Sequence, residues 1–460
     1  MFSSTTYQQR RALLKKQLTS GVILFLGNPD SPMNYPDNVY PFRQDSSFLY
    51  YCGLNLPRLA MIIDLDNDEE YLVGRELETI DIIVSGPQPS LVEQAESSGI
   101  KKVISWGQAE ELIKKVAMMQ RPLHYVPQYR AENQILLANW LNCIVNELKP
   151  SLKLINAIVE QRLYKSAEEV EQISQALVVT TEIHIAAMKL TTSGKYERDV
   201  VAELVAIAQR YERQFSYPII FTVRGEVLHN VHYDNQMQTG QLVLNDSGVN
   251  SPFSYASDIT RTFPVNGRFS SKQRDIYQLV YEMQKTALDM LRPGINYRDV
   301  HLAAAYCGAE GLIQLGLMQG DPAAIVEQGA YAMFFPHGVG HPLGLDVHDM
   351  EGLGEENVGY TEGITRSMQF GLNALRFAKP LTVGHVMTVE PGIYFGSLLI
   401  QQWREQGKFK EFINYDALND YLDFGGVRIE DNIIITNDGY RNLSADIPSE
   451  LDKVEAICNQ

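Results

Sequence analysis

The chain has 460 residues, of which 45% are hydrophobic and 21% are charged. This composition is that of an ordinary globular protein, so it excludes a disordered, collagenous or coiled-coil chain as the overall class. The formal net charge of −17 argues against nucleic acid and against an anionic membrane surface as partners, because so acidic a chain repels phosphate groups.

The first part of the chain alternates between helical and strand patterns. This alternation predicts an α/β domain over residues 1–160, with a second domain over residues 161–460. The apolar stretch 21–26 follows a basic segment, but no small-residue cleavage site comes after it, so we expect a buried strand there and not a signal peptide. The predicted helices are 6–18, 91–98, 107–118 and 131–148, and the predicted strands are 21–26, 60–65 and 70–73.

The composition also bears on location. Four cysteines lie far apart without a C-x-x-C pair, which favours a reducing compartment. No stretch approaches the roughly 20 apolar residues that a membrane-spanning helix needs. We therefore expect a cytoplasmic protein.

The second domain opens with a helix and continues as a weak internal repeat. Ser166 and Glu169 form a capping-box pattern ahead of apolar residues at helical spacing. Two helices and a hairpin then occur twice: helices over 166–212 precede strands near 242–248 and 258–263, and helices 271–291 and 297–311 precede strands near 386–392 and 428–435. Such a duplication is expected to pack the two hairpins around a pseudo-twofold axis.

Each hairpin carries one acid at a strand end and one at a strand start. These acids are Asp246, Asp258, Glu390 and Glu430. A single acid in this position is most often a strand-end residue that faces water. Four acids in matching positions favour a common buried site, because a buried carboxylate is costly unless it is paired or bound to metal.

Three histidines lie within the twelve residues 337–348, namely His337, His341 and His348. Intervening glycines and a proline argue against a zinc-protease helix, so we expect an extended segment. For one histidine, a satisfied core residue would be the simpler interpretation. Carboxylates with an imidazole suit Mn, Co, Zn or Fe(II), and a pair of such ions can activate water and polarise a carbonyl.

The same segments resemble the proline-specific branch of the pita-bread metallopeptidases, which comprises Xaa-Pro dipeptidase (prolidase) and Xaa-Pro aminopeptidase (aminopeptidase P). The matching stretches are DSG at 246–248, SDITRTFPVNG at 257–267, HGVGHPLGLDVHD at 337–349, TVEPGIY at 388–394 and GVRIED at 426–431. The stretch FRQDSSFLYY at 42–51 is similar to the creatinase-like N-terminal domain of that branch. The resemblance implies an α/β (α+β) protein with a creatinase-like domain followed by a pita-bread catalytic domain.

The resemblance also implies a set of site residues. Two divalent ions per subunit, expected to be Mn²⁺, would be bound by Asp246, Asp258, His341, Glu390 and Glu430. Glu390 would in addition accept a proton from the attacking water. His232, His337 and His348 would take part in catalysis and substrate binding, together with Arg428, which lies two residues before Glu430.

Two activities remain open within this branch. Arg376 falls on the position of a prolidase arginine that binds the carboxylate of a C-terminal proline, which favours a dipeptidase. The alternatives are an Xaa-Pro aminopeptidase that acts on longer peptides and, more remotely, a binding module without activity. The expected partners are proline-containing dipeptides or oligopeptides and a second copy of the chain in a homodimer.

Overall fold

The computed structural model describes all 460 residues, which form two compact units. The N-terminal unit contains Met1–Arg162 and Met350–Val358, and the C-terminal unit contains Leu163–Asp349 and Gly359–Gln460. The domain limits 1–160 and 161–460 stay a prediction. No helix combines the length and apolar character that crossing a bilayer requires.

The N-terminal unit is built on a five-stranded mixed sheet. Its strands are β1 (Val22–Leu26), β2 (Ala60–Asp64), β3 (Glu69–Val73), β4 (Lys102–Ile104) and β5 (Leu123–His124). The helices up to Leu163 are α1 (Ser4–Gln17), α2 (Ser46–Cys52), α3 (Thr79–Ser85), α4 (Leu91–Ser97), α5 (Trp106–Met118), α6 (Ala131–Leu141) and α7 (Leu152–Leu163). The strand order is β4-β3-β2-β1-β5; the inner pairs are antiparallel, while β4 and β5 join the edges in parallel. Apolar side chains from β1, β2, α5 and α6 form the core beside this sheet.

The C-terminal unit contains three small sheets. Its strands are β6 (Ile220–Thr222), β7 (Leu242–Asp246), β8 (Thr260–Pro264), β9 (Val386–Val389), β10 (Gly392–Tyr394), β11 (Gly426–Arg428), β12 (Asp431–Thr436) and β13 (Gly439–Asn442). The sheet orders are β6-β7-β8, β13-β12-β9 and β10-β11. The later helices of the chain are α8 (Ala167–Leu190), α9 (Glu197–Arg210), α10 (Ser271–Met290), α11 (Tyr297–Gln314), α12 (Pro322–Gln328), α13 (Glu355–Gly359), α14 (Ser397–Glu405) and α15 (Leu451–Cys458). Of these, α13 belongs to the N-terminal unit except for its last residue.

The predicted repeat is present. The helix pair α8 and α9 precedes the antiparallel pair β7–β8, and the pair α10 and α11 precedes the antiparallel pair β9–β12. The capping box at Ser166 and Glu169 opens α8 as expected. Each hairpin therefore delivers acids from the end of one strand and the start of its partner.

Two elements differ from the expectation. Helix α6 ends at Leu141 and not near 148, because Asn142 adopts the left-handed conformation that terminates helices. The strand expected near 428–435 is divided into β11 and β12, which pair with different strands, β10 and β9. Glu430 lies in this break.

Candidate metal centre

The four hairpin acids and one histidine converge on one cavity. Asp258, His341 and Glu430 are buried, and their ligand atoms lie within 4.8 Å of one another. The His341 Nε2 atom is 3.3 Å from Asp258 Oδ2 and 3.4 Å from Glu390 Oε1. Asp246 and Glu390 line the same cavity, which has a volume of about 500 Å³. All five predicted ligands are therefore neighbours.

The backbone explains this convergence. Asp246 is the last residue of β7, and its register partner on β8 is Thr260. The Thr260 carbonyl accepts a hydrogen bond from the Glu430 amide at 3.1 Å, and its hydroxyl donates to Glu430 Oε2 at 2.7 Å. Thr260 thus connects the acids of one hairpin with those of the other.

The electrostatics of the cluster call for a cation. Burial, followed by the neighbouring carboxylates Asp258, Glu390 and Asp246, raises the pKa of Glu430 well above its ordinary value. Burial likewise raises the pKa of Asp246, and it raises that of Glu390 to about 7. So many acids in one buried place are stable in their charged form only with positive charge among them.

One carboxylate oxygen of Glu430 indicates where a cation would bind. Glu430 is 1% exposed, and its Oε1 atom is buried without any hydrogen-bond partner. Buried oxygens without a partner are rare in folded proteins, and a metal ion is one of the partners that satisfy them. The donor set of carboxylate oxygens and one imidazole fits divalent ions such as Mn, Co, Zn or Fe(II).

A tyrosine that the sequence analysis did not identify bridges two of the acids. The Tyr217 hydroxyl lies 2.6 Å from Asp246 Oδ1 and 2.5 Å from Asp258 Oδ1. Burial and these two carboxylates raise the pKa of Tyr217 well above its ordinary value, so the hydroxyl keeps its proton and donates it. Tyr217 precedes β6 and belongs to no acidic or histidine motif, so no local pattern indicated it.

Arg428 and His337 are fixed through a second tyrosine. Arg428 donates to the Asp246 carboxylate, to the Thr260 hydroxyl at 3.0 Å and to the Tyr394 hydroxyl at 2.9 Å. His337 Nδ1 is 2.8 Å from the Gly338 carbonyl, which can only accept, so Nδ1 carries the proton. The neutral Nε2 then accepts from the Tyr394 hydroxyl at 2.8 Å. Burial, with Arg428 nearby, lowers the pKa of His337 to about 3.

His348 and Arg376 also line the cavity. The His348 ring packs edge-on against the His341 ring with a centroid separation of 4.4 Å. Arg376 contributes from the irregular stretch before β9. Their predicted substrate roles stay predictions.

His232 does not line the cavity, so its predicted catalytic and substrate-binding role stays a prediction. Its side chain is exposed in the loop after β6, where the Asn230 side chain donates to the Thr222 hydroxyl at 3.0 Å. His229, three residues earlier, is also exposed and lines the cavity. The sequence carries two histidines in this loop, and no motif distinguishes the one that lines the cavity.

The fold and this buried carboxylate–imidazole cluster define a metal-dependent hydrolase, and comparison with known proteins identifies the family. Residues 171–437 match Metallopeptidase family M24, and residues 7–124 match the aminopeptidase P N-terminal domain. The chain belongs to metallopeptidase family M24, in the branch whose members carry this N-terminal domain.

Relatives match this chain over nearly their whole length. The chain is 31% identical to a protein of Aspergillus terreus named probable Xaa-Pro aminopeptidase, over 95% of this chain and 92% of that one. It is 33% identical to a protein of Fusarium vanettenii with a similar name, over 92% and 88%.

Solved structures agree with this assignment. The Pseudomonas aeruginosa aminopeptidase PepP superposes with a TM-score of 0.81 at 28% identity, over 99% of this chain and 98% of that one. Aminopeptidase P from E. coli with the inhibitor Pro-Leu superposes with a TM-score of 0.80 at 27% identity, with the same coverage. The predicted pita-bread peptidase fold is confirmed, and the relatives' names favour the aminopeptidase alternative over the dipeptidase.

Proposed function

We propose that this protein is an Xaa-Pro aminopeptidase, which releases the N-terminal residue from peptides whose second residue is proline. The observation that carries the proposal is the cluster of five candidate ligands in a cavity of a chain that resembles Xaa-Pro aminopeptidases over almost its full length. An Xaa-Pro bond is a tertiary amide without an N–H, and the fixed proline ring hinders most peptidases.

In this proposal Asp246, Asp258, His341, Glu390 and Glu430 hold two divalent ions, with Mn²⁺ as the native metal. When bound, such a pair activates water and polarises the scissile carbonyl. Tyr217 and Thr260 hold the acidic side chains in place through their hydroxyl groups.

The remaining cavity residues act on the peptide. Glu390 is the carboxylate placed to accept a proton from water, because it lies at the cavity wall beside His341. Burial keeps His337 neutral, Tyr394 orients it, and His348 packs on the metal-site imidazole. His229 lines the cavity from the loop after β6.

The test is a comparison of initial rates on Ala-Pro-Ala, Ala-Pro and Ala-Ala-Ala with Mn²⁺ added. We expect cleavage of both proline peptides, with a higher kcat/KM for the tripeptide, and no cleavage of Ala-Ala-Ala. Equal rates on Ala-Pro-Ala and Ala-Ala-Ala would contradict proline specificity. No cleavage of any peptide by the metal-loaded protein would favour the inactive binding module.

A dipeptidase is the second candidate, because Arg376 lines the cavity and a fixed guanidinium suits a free carboxylate. If Arg376 binds the carboxylate of a C-terminal proline, Arg376→Ala raises KM for Ala-Pro by about 10- to 100-fold, the usual effect of losing one charged hydrogen-bonding group. The KM for Ala-Pro-Ala-Ala should then change little. An equal loss on both peptides would exclude this role, and Arg376→Lys serves as the control that keeps the charge.

Three further expectations accompany the proposal. Elemental analysis of the purified protein tests the native metal, and size-exclusion chromatography with light scattering tests the homodimer. The four cysteines are free thiols, which supports a reducing, cytoplasmic location. Fractionation of cells that produce the protein tests that location.

A further inference from the structure

A buried ion pair lies outside the metal cluster and is not used by the proposed chemistry. Lys165 Nζ is 2.8 Å from Asp349 Oδ2, and both side chains are only 1% exposed. Neither residue lines the substrate cavity. Burying two opposite charges contributes little net stability, because desolvation offsets their attraction. We therefore look for the role of this pair in the segments of the chain that it connects.

On one side, Asp349 closes the histidine-bearing segment into a loop. Its backbone N–H donates to the Pro342 carbonyl at 2.9 Å, and its carboxylate accepts from the Asp346 amide at 3.4 Å. The loop wraps closely around the carboxylate, since a Cβ on Gly344 would lie 2.5 Å from Asp349 Oδ2. A shift of Asp349 must therefore move the whole turn.

That turn carries His348, the residue directly before Asp349. The His348 ring meets the His341 ring edge-on at 4.4 Å, and both rings line the cavity. The Asp349 carboxylate is thus coupled through one peptide unit to the position of an imidazole in the site.

On the other side, Lys165 is attached to a rigid element. It directly precedes Ser166, the N-cap of the 24-residue helix α8, whose capping box with Glu169 is complete. The Lys165 backbone N–H donates to the Gly384 carbonyl at 2.9 Å, two residues before β9. The backbone of Lys165 is therefore held in place, and its ammonium group can hold the loop through Asp349.

We propose that Lys165 and Asp349 form a positioning pair that holds the His348 imidazole against His341 in the substrate cavity. The kinetic part of this inference rests on the proposed aminopeptidase function. The structural part, the location of the His348 ring, does not depend on it.

The first test separates positioning from stability. In the double variant K165M/D349N both charges are removed with little change of shape, so no lone buried charge remains to destabilise the fold. We expect this variant to retain its metal and most of its Tm. Its kcat on Ala-Pro-Ala should nevertheless fall about 10- to 100-fold, because misplacing a reacting group by about 1 Å costs up to about 100-fold. Wild-type kcat and KM in the double variant would overturn the proposal.

A milder variant covers the case in which the double variant does not fold. Lys165→Arg keeps the charge but replaces a compact ammonium by a larger planar group, which displaces Asp349. It should fold and show a reduced kcat with unchanged metal content. Lys453→Met is the matched control, because it breaks the exposed pair with Glu450 and should leave the kinetics unchanged. Wild-type kcat in a folded Lys165→Arg variant, with His348 unmoved, would contradict the proposal.

A mutant cycle tests whether the pair acts through His348. On a His348→Ala background, K165M/D349N should cause no further loss of kcat, since the group that it positions is already absent. If the two losses instead multiply, the pair does not act through this imidazole.

Crystal structures of the wild type and K165M/D349N provide the readout that needs no substrate. We expect the His348 ring to leave its edge-on contact with His341 in the variant. An unmoved ring would overturn the inference. If the wild type cleaves no Xaa-Pro peptide, the proposed function fails, while this measurement still decides the role of the pair.

Discussion

Among individual residues, the two histidines of the loop after β6 show that sequence position alone does not tell which side chain lines the cavity. Both side chains are exposed, but only His229 of the two lines the cavity. We expect His229→Ala to lower kcat/KM for Ala-Pro-Ala by about 100-fold, the lower end of the range for a positioned acid–base side chain. His232→Ala is the matched control and should leave the kinetics unchanged. The reverse result would restore the assignment made from the sequence.

Tyr217 allows a test of the hydrogen bonds that hold the candidate metal ligands. Its hydroxyl contacts Asp246 and Asp258, and hydrogen bonds to charged groups contribute about 1.5–3 kcal/mol. Tyr217→Phe should therefore weaken Mn²⁺ binding by about 10- to 100-fold, as measured by titration calorimetry.

A neighbouring tyrosine provides the control for this variant. The Tyr233 hydroxyl donates to the Ile219 carbonyl at 2.6 Å and not to a candidate ligand, so Tyr233→Phe should leave metal affinity unchanged. Unaltered affinity in Tyr217→Phe would show that this hydroxyl does not hold the ligands.

The most readily predicted residues were those whose chemistry is costly to bury. Asp246, Asp258, Glu390 and Glu430 stand out because carboxylates in apolar strands need a compensating partner. Tyr217 and Lys165 carry no such signal, since both are common residue types outside any spaced motif. Their roles depend on contacts with residues far away in the chain, and these contacts appear only in the folded structure.

At the element scale, the β7–β8 hairpin sets the distance between Asp246 and Asp258. Gly248 follows β7, and a Cβ there would lie 2.0 Å from the Ser257 carbonyl oxygen. Gly248→Ala must push the two arms of the hairpin apart, so we expect loss of metal binding and of activity, measured by elemental analysis and peptide cleavage. Gly352→Ala is the control, because its Cβ would meet open space. Full metal content in Gly248→Ala would contradict this account.

The secondary structure was predictable where caps and periodicity agree. The Ser166–Glu169 capping box fixed the start of α8, but nothing in the apolar pattern indicated that α6 ends at Asn142. The break between β11 and β12 was also not predicted, since the residues on both sides of it are strand formers. This break depends on pairing with two different strands, which is a property of the tertiary fold.

At the scale of the whole molecule, the repeat explains why the site forms. Two copies of a helix pair and hairpin bring their acids together, so four carboxylates come from four separate strand ends. The order of motifs along the chain was sufficient to predict this arrangement and the family. The choice between dipeptidase and aminopeptidase was not predictable from one arginine, because both activities use the same metal cluster.

Titration calorimetry of Mn²⁺ into chelator-stripped protein decides whether the buried cluster is a two-metal centre. We expect two ions per chain for the wild type, and loss of binding together with loss of peptidase activity in Asp258→Asn and Glu430→Gln. Peptidase activity that persists in the fully stripped wild type, or unchanged stoichiometry in both variants, would contradict the proposed metal centre.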